Sequence, residues 1–400
     1  MEAPRSISTT NGSRLVWVDT AKGLSILLVV LHHSVIYEQA VGLAPAPVAA
    51  ANEALASLRM PLFFLASGLF VAGPLAAPWR TLLHKRVAFF LYLYLLWTVL
   101  RFTFFATLVP PEVDPNDSAN PIGLAAALVL PGPSMWFLYA LALFSVLGKL
   151  AQRVPVALQL GAAGVLSALT GAGVLDVDSR WAYLTRFLFF FLLGWHARGP
   201  IERVARSASP LFVGGAMMLC VGSAGGAVAL GLRTVPGVAL VLNCVAVVFG
   251  VLFAAWISRH RIGVFLAGLG RKTLPIYLIH MLWLAAIMTG VRLAHLPPAA
   301  GYVLPVVVVP ALVALSLLTH RLLLSAHATW LFALPSPLAY SPPARATGRH
   351  RRGRVPAAVA RTPLVVLATD PARRRRLSRA VPAIALPHRV RVPSPLRPAL

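Results

Sequence analysis

Apolar runs long enough to cross a bilayer recur along the whole chain, separated by short polar segments. A membrane-crossing helix needs about 20 mostly apolar residues, and on that measure about ten spans are predicted. They run over Val16–Tyr37, Met60–Pro78, Val87–Val109, Ser134–Leu150, Val154–Leu175, Ala182–Arg198, Leu211–Leu232, Val235–Ile257, Thr273–Val291 and Tyr302–Leu324. The apolar stretch Ile122–Leu130 is too short to cross and is expected at the interface or re-entering. The polar segments give the orientation, because cytoplasmic loops collect Lys and Arg. With the N-terminus inside, the inner loops hold Arg80, Lys85 and Arg86, then Lys149 and Arg153, then Arg198, Arg203 and Arg206, then Arg259, Arg261, Arg271 and Lys272. The outer loops carry the single arginines Arg59, Arg180, Arg233 and Arg292 and the acids Glu53, Glu112, Asp114, Asp117, Asp176 and Asp178. An even span count then puts both termini in the cytoplasm. The expected fold is all-α integral membrane, with residues 1–335 as one polytopic domain.

From Ser341 onward no apolar periodicity survives, and Pro and Arg alternate with small residues. Residues 341–400 are therefore expected to be a disordered, basic cytoplasmic tail.

Composition supports this picture. Of 400 residues, 58% are apolar and 12% charged, with mean hydropathy +0.78. A soluble chain carries about 25% charged residues, which excludes that class. Net charge is +25, but the fourteen arginines and one aspartate after Tyr340 supply +13 of it. The excess is thus local to a segment beside the membrane, where it suits anionic lipid head groups; no nucleic-acid partner is expected. Two cysteines, Cys220 and Cys244, lie in apolar segments and give neither a disulfide framework nor metal-ligand spacing. The usage, rich in Leu, Ala, Val, Arg and Pro and poor in Lys, reads as a GC-rich bacterial coding bias. The expected location is a bacterial inner (plasma) membrane, crossed many times.

The chemistry-bearing residues begin in the first span, "KGLSILLVVLHHS", Lys22 to Ser34. Ionisable groups inside a bilayer are costly and usually functional. On a helical wheel with Asp19 at 0°, Lys22 falls at about 300°, His33 at about 320° and Tyr37 at about 0°. His32 falls at about 220°, beside Ser25 at about 240°. The charged stripe is broken by Ile26, Val29 and Val30. A lone histidine pair reads first as one packing and one interfacial residue, and a lysine at a helix start as a snorkelling anchor, but the face shared with Asp19 and Tyr37 points toward function. Lys22 and His33 are about 16 Å apart along the axis, which places His33 about halfway through the hydrocarbon if Lys22 is at the inner surface.

"WVDTAKGLSILLVVLHHS" resembles the opening of the membrane acyltransferase-3 family, marked by Arg or Lys, ten residues, then His; Lys22 and His33 fit that spacing and His32 does not. Further motifs follow in order. "RMPLFFLASGLF" (Arg59–Phe70) is similar to the family's second helix, "HKRVAFFLYLYLLW" (His84–Trp97) to its basic entry into the third, "MWFLYAL" to its Trp-Phe-Leu helix, "FLFFFLLGWHAR" to its Phe-rich helix and "GRKTLPIYLIH" (Gly270–His280) to its late Tyr…His helix. The resemblance covers about Arg14 to Pro335. A lysine where arginine is commoner is similar to the branch described as fucose 4-O-acetylase-like. Pro275 inside the late helix and the lack of a fused esterase-type domain depart from the pattern.

The resemblance implies an O-acyltransferase that moves an acyl group, usually acetyl, from acyl-CoA to a hydroxyl of a sugar, glycolipid or polysaccharide. Acetyl-CoA is then a donor substrate, with no permanently bound cofactor and no metal. In this reading His33 is the general base, since hydroxyl attack on a thioester needs a base with pKa near neutrality. Asp19 orients or balances Lys22 at helical contact spacing. Lys22, Lys85 and Arg86 hold the donor's phosphates. Tyr37, Arg59, Trp136, Tyr277 and His280 are candidates for the cavity wall. Ser67-Gly68 reads as a close helix-packing point rather than a nucleophile. The competing expectation is a transporter or flippase that uses Lys22 and His33 for anion binding or proton coupling. The acceptor, the acyl group and the oligomeric state are left open by the sequence.

Overall fold

A computed structural model describes residues 15–132, 135–175 and 178–335. The expected C-terminal tail lies outside the described residues. Twelve helices matter for function: α1 (Val16–Ala40), α2 (Ala46–Gly68), α3 (Trp79–Leu108), α4 (Trp136–Leu150), α5 (Val156–Gly171), α6 (Ser179–His196), α7 (Arg198–Arg206), α8 (Pro210–Ala229), α9 (Val238–Ile257), α10 (Arg261–Gly270), α11 (Thr273–Leu293) and α12 (Leu304–Ser325). Among the described residues there are helices and turns but no strand. This is what a bilayer demands, since a helix satisfies its own backbone polar groups.

Every predicted span overlaps a helix, but the lengths divide them. Seven helices (α1, α2, α3, α8, α9, α11 and α12) are long and apolar enough to cross a membrane. Helices α4 and α5 have 15 and 16 residues. They reach only about 23 Å, short of a hydrocarbon core of about 30 Å. Helix α6 has 18 residues but carries polar groups, including Arg186, whose Nη2 donates to the Thr170 carbonyl at 3.1 Å.

The second span is displaced from its predicted position, Met60–Pro78. Its helix begins at Ala46 and ends at Gly68. The stretch before Met60 looks too polar to be part of a span. Its polar side chains pair internally instead: Arg59 Nη1 donates to the Asn52 carbonyl at 3.2 Å and to Asn52 Oδ1 at 3.1 Å.

Helix α1 is the hub, packing against α2, α9, α10, α11 and α12. Its closest partner is α10, which lies in what reads as a basic inner loop. The approach is backbone to backbone. A Cβ on Gly23 would sit 2.0 Å from the Leu266 carbonyl oxygen, and one on Gly270 would sit 1.7 Å from that of Asp19. Glycines of this kind are what let membrane helices close up. Thr20 Oγ1 adds a bond to the Gly263 carbonyl at 3.2 Å. A second crossing joins α2 to α6 through Gly68 and Gly194, whose Cβ positions would be 2.1 and 2.2 Å from the Phe191 and Leu65 carbonyl oxygens. Adjacent Ser67 donates back to the Phe63 carbonyl at 2.8 Å.

Helix α3 contains one π-helical turn, Leu83–Val87, carrying Lys85 and Arg86. Ile122–Leu130 folds as a short helix (Pro121–Ala126) followed by a turn, fastened to α3 by one phenol. Tyr94 Oη lies 2.7 Å from the Ala127 carbonyl and 2.8 Å from that of Leu130, and accepts from the Gly132 amide at 2.8 Å. Helix α8 is peripheral and packs on α9; Leu211, Met218 and Val221 are largely exposed on it, as for a lipid-facing helix.

Candidate functional site

The site is assembled around the C-terminal half of α1. His33 and His280 are 247 positions apart in sequence, and α1 and α11 bring His33 Nδ1 to 3.0 Å from His280 Nε2. The protonation pattern follows from the next bond. His280 Nδ1 lies 2.9 Å from the Ile276 carbonyl, which can only accept. The proton on neutral His280 is therefore on Nδ1, and its Nε2 is an acceptor. His33 must then donate from Nδ1, which leaves the lone pair on His33 Nε2. Among the described residues nothing hydrogen-bonds to that nitrogen. His280 is buried to 1% exposure while His33 is half-buried, so the free nitrogen belongs to the more accessible ring.

His32 is held from the other side. Asn52 must offer its carbonyl oxygen to Arg59, a pure donor, so its Nδ2 donates to His32 Nδ1 at 3.1 Å. The two α1 histidine rings are 5.4 Å apart and make no hydrogen bond with each other. Arg59 thus lies within α2, near the dyad, and not in an outer loop.

One turn beyond His33, buried Tyr37 donates to Asp114 Oδ1 at 3.4 Å. Asp114 organises the loop after α3: Oδ1 also accepts from the Asn116 amide at 3.2 Å and Ser118 Oγ at 3.0 Å, and Oδ2 accepts from the Ser118 amide. Arg101 of α3 donates from Nη2 to Ser118 Oγ. Its guanidinium lies over the Phe105 ring at 4.8 Å and within electrostatic reach of Tyr37, His33, His280 and Tyr277. Tyr277 and Trp136 stand in an aromatic wall next to the dyad. The Tyr277 ring is 6.3 Å from His280 and 5.8 Å from Phe137, and Trp136 stacks on Phe187 and Tyr183 at 5.8 and 5.3 Å.

The residues expected at the donor end are placed apart from this cluster along α1. Asp19 is buried against α10. The Lys22 ammonium lies 4.7 Å from the centre of the Phe70 ring. Between Lys22 and His33, Ile26 and Val30 are fully buried and Val29 nearly so. Lys85 is exposed, whereas Arg86 is engaged: its Nε donates to Ser145 Oγ of α4 at 2.8 Å. Lys149 likewise secures the end of the short helix Ala72–Ala76, donating to the Leu75 and Ala77 carbonyls at 2.6 and 2.9 Å.

Arg101, Asn52 and Asp114 are the site's unpredicted members. For Arg101 the signal is present in the sequence, because an arginine inside an apolar span is itself a mark of function. Asn52 precedes the predicted second span, and Asp114 reads as one outer-loop acid among several.

Neither a curated protein nor a solved structure matches the chain. A family model described as an acyltransferase domain, that of the acyltransferase-3 family, matches residues 15–321, more than half of the chain. That span takes in α1 with its histidines, the α2 and α3 arginines and the α11 histidine, and the chain accordingly belongs to the acyltransferase-3 family of membrane acyltransferases.

Proposed function

We propose that the protein transfers an acyl group, acetyl by preference, from acyl-CoA to a hydroxyl of a sugar, a glycolipid or a polysaccharide. The observation that carries this reading is the His33–His280 pair, which leaves the His33 Nε2 lone pair unengaged in a partly open site. His33 Nε2 takes the acceptor hydroxyl's proton as its oxygen attacks the thioester carbonyl. The tetrahedral adduct collapses by breaking the C–S bond. The departing thiolate recovers the proton from His33, giving the ester and free coenzyme A thiol. His280 touches His33, not the reactants. Its part is to fix the tautomer and hold the ring, as the third group does in other base-and-orienter arrangements.

The donor is cytosolic in this scheme, with its phosphates near Lys22, Lys85 and Arg86. Its acyl arm spans the roughly 16 Å between the levels of Lys22 and His33. The full topology proposed is ten spans of a bacterial plasma membrane with both termini in the cytoplasm. The cation bias of the inner loops supports it, as do the seven helices long and apolar enough to cross. The tail from residue 341 is proposed to lie on the same side, against anionic lipid.

The test is purified full-length protein in lipid nanodiscs with radiolabelled acetyl-CoA and cell-envelope glycans of the source bacterium. Transfer of label to glycan by wild type and not by His33→Ala is the expected result. Label transfer that survives His33→Ala overturns the assignment of the base.

A further inference from the structure

The protein also contains a cavity outside the dyad, bordered by α3, the Asp114–Asn120 loop, the Pro121–Ala126 helix, Gly132 and Met135. Its volume is about 200 Å³, and it is lined by Thr98, Arg101, Phe102, Asn116, Ser118 and Asn120 among others. Two of its polar atoms are buried without a partner: Thr98 Oγ1 and Arg101 Nε. A buried polar group left unpaired is destabilising, so these two need an explanation. Arg101 is only 5% exposed and is set deliberately, with Nη2 on Ser118 and its plane over Phe105.

We propose that this cavity is the acceptor subsite and takes one uncharged, polyhydroxylated ring. The lining has two unspent polar groups and an apolar face for such a ring. Arg101 Nε donates, Thr98 Oγ1 can do either, and Phe102, Leu124 and Met135 offer apolar surface for the ring's C–H face, while Asn120 is spent on capping the Pro121–Ala126 helix and on Asp117. An anionic ring fits worse, because Asp117 is in the wall at the exposed side and the Asp114 carboxylate stands directly behind Ser118. The space is below the roughly 300–1,000 Å³ of sites for drug-sized ligands, so one ring is seated and anything attached to it extends out past Asp117. Asp117 itself has φ +48°, a left-handed conformation that aspartate tolerates better than most residues.

The same groups join the cavity to the base. Ser118 binds Arg101 on one side and Asp114 on the other, and Asp114 accepts from Tyr37, one helical turn from His33. A ring held by Arg101 thus rests on the network that borders the dyad. This inference rests on the proposed transfer to a hydroxyl acceptor, but its binding step is measurable without chemistry.

The experiment is saturation-transfer NMR on full-length protein in nanodiscs. The probes are methyl β-glucopyranoside, methyl β-galactopyranoside and the methyl glycoside of glucuronate. The neutral glycosides should bind wild type and His33→Ala alike, and should bind about tenfold more weakly to Arg101→Gln and to the near-isosteric Thr98→Val. The glucuronate should bind more weakly than either neutral ring. Thr98→Val guards against misfolding of the arginine variant. Neutral glycosides that bind both variants as they bind wild type, or fail to bind wild type, overturn the subsite. A glucuronate that binds best overturns its preference for uncharged rings. Binding without His33-dependent transfer would sink the proposed reaction and leave the subsite standing; His33-dependent transfer with binding indifferent to Thr98 and Arg101 would do the reverse.

Discussion

The two halves of α1 are built on opposite principles. From Asp19 to Gly23 the helix meets α10 with no side chain between the backbones, held by Gly23, Gly270 and the Thr20–Gly263 bond. From His32 to Tyr37 it meets polar side chains from α2, α3, α11 and the Asp114 loop, in a region with open volume beside it. Buried Ile26, Val29 and Val30 stand between the two. The first half can hold the helix still because it is dry and close-packed. The second can do chemistry because its ionisable groups have partners, which a membrane interior requires. One element thus supplies both the rigidity and the nitrogen proposed as the base.

The largest expected effect breaks the rigid half. Gly270→Leu puts a Cβ 1.7 Å from a backbone oxygen, which no side-chain adjustment can relieve. Loss of the monodisperse protein peak in size-exclusion chromatography is expected. Gly226→Leu on α8, where nothing lies within 4 Å, is the matched control and should elute as wild type. A well-behaved Gly270→Leu protein would show that α10 is not seated on α1 as described.

Next comes the reactive half. His33→Ala should fold and lose about 10²- to 10⁴-fold in transfer rate, the usual contribution of a general base. Such a loss with normal elution, set against Gly270→Leu, separates the two halves of the helix in a single pair of measurements. An equal loss of folded protein in both variants would erase the distinction.

This contrast also explains what could be read in advance. His33 and His280 are visible in the sequence as members of two motifs, and the ionisable residues of α1 announce themselves against an apolar background. Their contact is not visible, because spacing along a helix says nothing about which of the other helices faces it. Helix α10 is hidden for a different reason. Ten residues, three of them glycine, that begin at Arg261 and run into Arg271 look like a loop, and only the backbone contact with α1 gives Gly270 a purpose. The start of α2 is hidden because Asn52 and Arg59 look too polar for a membrane until each is seen satisfying the other. Arg101 stands out against the apolar pattern of its own span, as the ionisable residues of α1 do in theirs. Its partners Ser118 and Asp114 come from a loop whose fold is set by Asp114's own hydrogen bonds.

Within the reactive half, His280 should matter through the bond it accepts. His280→Ala leaves the His33 Nδ1–H without its partner and frees the ring to rotate, at an expected loss of about ten- to a hundredfold in kcat. His280→Gln can still accept that bond and should recover most of the rate. It should do so without moving the pH profile, because Gln has no proton to exchange. A His280→Gln variant as slow as His280→Ala would mean that His280 takes a proton during the reaction instead of holding the ring.

The smallest effect is expected at His32, and it is the most discriminating. His32 has the same ring, the same helix and a similar depth as its neighbour, yet its Nδ1 is already occupied by the Asn52 amide and it makes no hydrogen bond to His33 or His280 among the described residues. His32→Ala removes one net hydrogen bond and some packing, a change of about 1 kcal/mol that corresponds to about fivefold in rate. Part of that loss should appear in the acceptor KM, because Asn52 and Arg59 then reorganise beside the site. His32→Gln, which can accept from Asn52, should restore it. If His32→Ala instead costs more than His33→Ala, the lone pair that takes the proton belongs to His32. The tautomer order through His280 and Ile276 would then be wrong, even though both rings sit where they do.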